Sequence, residues 1–181
     1  MHSNRIPLVP TALLAILAVL SVVLASHRLP KGRVIAIKDA AEYCILLPPV
    51  YGGRISDYSH NAVSYCKLPM ESAPSRSREL HEDFGMSVTW YKQDGERGYE
   101  QITGVFNRKV YGFSKRDAGG QYDSRHPSGS RCAGYKYFVQ LVEPDVGLFC
   151  LRCCHNKEDC PTDKPTLGCR VVIPGGYETG S

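Results

Sequence analysis

Between residues 87 and 106 apolar and polar positions alternate with a period of two, interrupted once by Gln93-Asp94-Gly95-Glu96-Arg97-Gly98. Period two sends successive side chains to opposite faces of a strand, and Asp-Gly supplies a reversal, so 87–92 and 99–106 read as an antiparallel hairpin. Val88 and Trp90 share a face, as do Ile102 and Phe106 with Gly104 between them, and their burial is expected to found the core. A second alternating run, GYKYFVQLV at 134–142, is followed by LFCLRC at 148–153. A five-residue loop over 143–147 sets Val142 opposite Leu148, and hence Gln140 opposite Cys150. Shorter apolar runs at 34–37, 43–47, 109–113 and 169–173 read as further strands, the second ended by Pro48-Pro49. Asp39 is placed to cap one helical turn over 39–42, and 78–84 is the other candidate for a short helix. Residues 51–60 and 117–130, rich in Gly, Ser and Asp, read as loops, and 67–85 as a surface excursion. The expected fold class is mostly β, with α+β as its variant: a small disulfide-stapled antiparallel β domain, with sandwich and barrel both open.

The longest apolar run lies at the N-terminus. Residues 12–25, broken only by Ser21, follow Arg5 and end on Val23-Leu24-Ala25. As a helix this run is about 21 Å long, short of the ~30 Å hydrocarbon core. Arg5, the apolar stretch and the small residues Val23 and Ala25 form the pattern of a secretory signal peptide cleaved after Ala25. Residues 1–25 are therefore expected to be removed, leaving 26–181 as one secreted, extracellular domain with no membrane segment. Removal takes one Arg and no acid, which lowers the formal charge from +4 to +3. So mild and dispersed a charge does not point to nucleic acid.

Eight cysteines change the picture most: Cys44, Cys66, Cys132, Cys150, Cys153, Cys154, Cys160 and Cys169. An even number behind a signal peptide reads as a disulfide framework, here of four bridges supplementing a real core. A zinc site would need a second closely spaced pair beside Cys150 and Cys153, and Cys160 and Cys169 are too far apart to make one. No βαβ pattern surrounds Cys150-Leu151-Arg152-Cys153, which argues against a redox motif. Cys44 and Cys66, isolated in the N-terminal half, are expected to bond to each other. In a regular hairpin Cys132 lies eight residues beyond the position facing Cys150, roughly 26 Å along the ladder. Bridged Cα atoms lie within about 7 Å, so Cys154 or Cys160 is its expected partner. Adjacent Cys153 and Cys154 are each expected to bond elsewhere.

Candidate chemistry is sparse. His60, His81, His126 and His155 have no triad or metal spacing, and no Gly-x-Ser-x-Gly marks a nucleophile. Asp117, Asp123 and Glu143 are the carboxylates that a small polysaccharide hydrolase would use, although acids beside Gly and Pro are also what turns contain. The 117–123 stretch lacks the third-position oxygen, the sixth-position Gly and the closing Glu of a calcium loop. No cofactor or metal is expected. The eleven tyrosines are more informative. Tyr135 and Tyr137 fall on one strand face with Val139 and Leu141, whereas Tyr51, Tyr58, Tyr122 and Tyr177 fall in loops, where tyrosine makes rigid, half-polar contact surface. Gly119, Gly120, Gln121, Tyr122 and Asp123 are the candidate binding loop, because glycine lets a ligand approach the backbone.

The stretches IAIKDAAEYCILLPP, GGQYD, CAGYKYFVQLVEPD and FCLRCCHNKEDC, with GC before a PGGY ending, together resemble small secreted cysteine-containing proteins of fungi. The resemblance spans 34–177 and implies secretion and a stapled fold, with no established activity and no site residues to transfer. The expected function is non-catalytic extracellular binding, at the cell wall or on a partner protein in the manner of an effector. Its partner would be cell-wall polysaccharide or an extracellular protein. Polysaccharide hydrolysis is the alternative.

Overall fold

A computed structural model describes residues 32–67 and 76–178. The expected signal peptide lies outside the described residues, as does part of the 67–85 excursion. Ten strands form two sheets: β1 (Val34–Ile37), β2 (Tyr43–Leu47), β3 (Val63–Cys66), β4 (Arg78–Glu79), β5 (Gly85–Gln93), β6 (Tyr99–Phe106), β7 (Gly120–Asp123), β8 (Arg131–Cys132), β9 (Tyr137–Glu143) and β10 (Leu148–Cys154). One sheet runs β4-β3-β2-β1-β8 and the other β5-β6-β10-β9-β7. Both contribute to a single buried cluster, so the domain is a sandwich of two open sheets. Its centre is aromatic: Phe84 stacks on Phe106 at 4.9 Å between centroids, and Phe149 meets Phe84 edge-on at 5.3 Å and stacks on Tyr43 at 5.9 Å.

The 85–106 hairpin forms as its pattern predicts, with Trp90 opposite Ile102 and Val88 opposite Gly104. Ile102 and Phe106 are buried, but Trp90 is 40% exposed. The reason is position: β5 is an edge strand, so the half of the hairpin that meets neighbours on both sides is β6. The 134–153 hairpin also forms, one residue out of the expected register. Glu143 faces Leu148 and Cys150 faces Leu141, because the loop is 144–147, closed by the Gly147 N–H donating to the Glu143 carbonyl at 2.8 Å. Gly147 takes φ +71°, a conformation in which glycine carries no Cβ penalty. A one-residue slip exchanges the faces of the whole strand. Gln140 thereby leaves the face of Cys150 and enters the space between the sheets, alongside Phe138 and Val142.

There Gln140 is fully buried and bonds to main chain of the other sheet. The Leu46 N–H donates to Gln140 Oε1 at 2.8 Å, and Gln140 Nε2 donates to the Leu46 carbonyl at 2.7 Å. The β1–β2 ladder ends at Cys44, and the glutamine amide continues it by acting as one peptide unit.

All eight cysteines pair, as four disulfides. Cys44–Cys66 is as expected and joins directly opposed residues of β2 and β3. Cys132 avoids Cys150 but bonds to Cys153, not to Cys154 or Cys160. The expected strand over 134–142 starts only at Tyr137. Gly134, at φ +80°, turns the chain, which leaves Cys132 in β8 beside β1, where its bridge crosses from one sheet to the other. Cys150–Cys169 and Cys154–Cys160 lie on the opposite face of β10.

Four further elements differ from expectation. Residues 169–173 belong to a helix, α1 (Gly168–Val172), not a strand. Cys169, Val172 and Ile173 are buried and Val171 exposed, a helical spacing, and the Glu143 carboxylate accepts the Cys169 N–H at 2.7 Å. Residues 108–111 form a 3-10 turn rather than a strand, with Asn107 accepting the Lys109 N–H and Gly112 left-handed at its end. Within 78–84, residues 78 and 79 are strand β4, paired parallel to β3. Asp39 does cap Ala41 and Glu42, but in the β1–β2 hairpin loop, where no helix forms.

Two buried polar groups in this one core give opposite predictions. Gln140→Leu keeps volume but strands the Leu46 N–H and carbonyl, and should lower the unfolding free energy by about 3 kcal/mol in urea titration. Tyr43 is fully buried with a hydroxyl that finds no partner among the described residues, and burial pushes its pKa up. Tyr43→Phe should therefore raise stability, by about 1 kcal/mol.

Candidate functional site

The expected binding loop is a strand. Gly120 to Asp123 form β7, paired antiparallel to β9, with Tyr122 opposite Gln140. Gly119 does permit a close backbone approach, but the neighbour is β9: a Cβ on Gly119 would lie 2.0 Å from the Val142 carbonyl oxygen. Tyr122 is fully buried, its hydroxyl donating to the Ile55 carbonyl at 3.4 Å, and burial raises its pKa. Gln121 Nε2 donates to Asp123 Oδ2 and to the Thr162 carbonyl. Asp123 accepts from the Arg125 guanidinium at 2.8 Å and from the Arg125 N–H at 2.7 Å. Burial pushes its pKa up, but these bonds and the Arg125 charge outweigh burial and leave it below the usual carboxylate range.

The other two candidate carboxylates are also engaged in holding main chain. Asp117 is buried and accepts the Ile55 N–H at 2.9 Å and the Gly119 N–H at 3.0 Å. Glu143 caps α1, and burial raises its pKa despite the Cys169 N–H. Among the described residues no group of three or more His, Cys, Asp and Glu side chains could hold a metal ion. His60 and His126 meet edge-on at 4.7 Å, and His155 stacks on Tyr135 at 4.6 Å.

A different feature stands open on the outer face of the β5–β6 hairpin: a cleft of about 330 Å³ between that face and the chain after α1. Thr89, Trp90, Tyr91, Tyr99, Gln101 and Thr103 line it, with Pro174-Gly175 as its lip. Tyr91 is 49% exposed and its ring lies 5.9 Å from that of Tyr99. The Arg152 guanidinium sits 4.3 Å over the Tyr99 ring while Arg152 Nε donates to Gln101 Oε1 at 2.8 Å, and Gln101 Nε2 donates to the Pro174 carbonyl at 2.9 Å. This relay fixes Tyr99 and the lip relative to each other. Thr103 is 1% exposed beneath Gly175, and its hydroxyl has no hydrogen-bond partner among the described residues. Glycine is required at the lip, where a Cβ on Gly175 would lie 2.5 Å from Thr103 Oγ1.

Two larger depressions are lined differently. One, of about 710 Å³, mixes Glu82, Asp83 and Asp145 with Arg108, Lys109 and Lys115; another, of about 630 Å³, lies along the 157–164 loop. Neither presents an exposed ring. Sequence reading missed the hairpin cleft because Tyr91 and Tyr99 sit in strands, whereas loop tyrosines were weighted. The usable signal was the outer-face set Thr89, Tyr91, Tyr99, Gln101 and Thr103, too polar and aromatic for a core face.

No known protein family, curated protein or solved structure matches the chain. No helix among the described residues is long and apolar enough to cross a membrane, and four disulfides are what an oxidising compartment produces.

The Asp123 carboxylate, held below its unfolded value of about 3.9, contributes stability that is present above that value. The contribution is lost as pH falls through the lower folded-state pKa. Melting temperature followed from pH 6 downward should therefore drop less steeply for Asp123→Asn than for the parent chain.

Proposed function

We propose that this chain is a secreted, non-catalytic protein that binds cell-wall polysaccharide through the outer-face cleft. The observation that carries the reading is one cleft in which the exposed Tyr91 ring lies beside the fixed, half-buried Tyr99 ring, with the exposed Thr89 at its edge. Sugar rings present apolar C–H faces edged by hydroxyls. They stack on aromatic side chains, and their hydroxyls pair with polar groups at the cleft's edge such as the exposed Thr89 hydroxyl. The preformed position of Tyr99, fixed by Arg152 and Gln101, reduces the ordering cost of binding. The resemblance to small secreted fungal proteins supports placing the ligand in a cell wall. The alternative of polysaccharide hydrolysis by Asp117, Asp123 and Glu143 is less well supported, because each of these carboxylates already holds backbone N–H groups.

Retention of the secreted protein on insoluble chitin and on β-glucan tests the reading, with released reducing sugar assayed in the same tubes. Retention without sugar release is expected. Tyr91→Ala should weaken it about 5–10-fold, corresponding to roughly 1–1.5 kcal/mol of stacking. Failure of every glycan to retain the parent chain would sink the proposal, and sugar release abolished in Asp123→Asn would replace it with the hydrolase.

A further inference from the structure

A sandwich of two open sheets has four edges, and a strand at an edge exposes unpaired N–H and carbonyl groups that template pairing with another chain. Three of the four edges here are blunted. β4 and β8 are two residues long, and β4 consists of Arg78 and Glu79. β7 is four residues long, with Tyr122 and Asp123 buried and Gln121 tied to the Thr162 carbonyl. The fourth edge, β5, has nine residues, no proline and only one charge. It exposes Trp90 and Tyr91, and a register irregularity falls between Gly85 and Ser87, so the regular run is 87–93.

That run is suited to its own copy. Antiparallel self-pairing must place same-face residues opposite one another, and a two-fold axis at Trp90 uses every residue of 87–93. Trp90 then faces Trp90 of the second copy on the inner face, and Thr89 faces Tyr91 on the outer face, both favourable cross-strand pairs. The one charge does not oppose itself: Lys92 faces Val88, and its ammonium is already neutralised by Glu100 at 3.3 Å and Asp94 at 3.7 Å. We infer that two copies of this chain pair through β5, joining their five-stranded sheets into one ten-stranded sheet. Thr89 and Tyr91 line the cleft as well as the edge, so the two clefts adjoin across the axis on one face. Resting on the binding function proposed above, the dimer is a bivalent reader of a repeating polymer, and linkage of two sites raises retention without new contacts.

Trp90 is the only tryptophan of the chain, so its emission reports the axis directly. Sedimentation of the mature protein over a wide concentration series should show a monomer–dimer equilibrium, with a blue shift of emission and slowed hydrogen exchange of the 87–93 amides tracking the dimer. Trp90→Lys places two ammonium groups face to face, and at an exposed position should give a folded monomer. Because Trp90 also borders the cleft, bivalency is read from the parent chain instead. The parent's retention on an insoluble glycan should rise more steeply than in proportion to concentration over the range in which the dimer forms. The exchange measurement needs no variant and decides the matter even if Trp90→Lys does not fold. A monomer at all concentrations overturns the inference, whether or not glycan binds. Protected 87–93 amides in a monomer also overturn it, and would assign the edge to another segment of the same chain. A dimer that binds no glycan sustains the pairing and removes only the function on which its bivalency rests.

Discussion

The structure depends on the two-residue period of β10. Along Leu148 to Cys154, odd-numbered side chains face the other sheet and even-numbered ones face the layer of α1 and the C-terminal chain. Cysteines at 150, 153 and 154 therefore divide between the two faces. Cys153 links the sheets through Cys132, Cys150 anchors α1 through Cys169, and Cys154 closes the 154–160 loop. One strand, hydrogen-bonded on both sides to β6 and β9, thus joins three layers covalently. That is why four cysteines crowd into twelve residues without forming a metal site. Alternation aims neighbouring thiols in opposite directions, and a tetrahedral centre needs them to converge.

Polar groups complete what the bridges begin. The Gln140 amide extends a ladder from one sheet to the other, and Glu143 caps the helix that Cys150 anchors. Asp117 ties the approach to β7 to the chain at Ile55. The carboxylates that look most chemical in the sequence are spent on backbone N–H groups at chain reversals, where an unpaired donor would otherwise be buried. What this bracing leaves open is the β5 side of the hairpin's outer face, where Thr89 is exposed and Tyr91 is 49% exposed. The same hairpin carries the longest edge strand among the described residues. α1 covers the β10 and β9 half of the outer face, while the 174–176 segment reaches across β6 onto Thr103 and Thr89 and leaves Tyr91 half-exposed.

The sequence alone determined whatever depends on neighbours along the chain. Alternation and turn residues located the hairpins at 85–106 and 137–154, isolation paired Cys44 with Cys66, and cysteine number and spacing announced staples rather than a metal. It left undecided whatever depends on what lies opposite. A loop one residue shorter than expected moved Gln140 from the outer face to the inner one, and a glycine turn at 134 redirected Cys132 to Cys153. The same limit hid β7, whose Gly119-Gly120 start looks like loop until β9 lies against it, and made Trp90 look like core when an edge position exposes it. The spacing of Cys169, Val172 and Ile173 was helical, but five residues are too few to tell one period from another. Local chemistry sets each element's period, whereas register, partner and exposure belong to pairs of elements distant in sequence, and only the packed tertiary structure assigns those pairs.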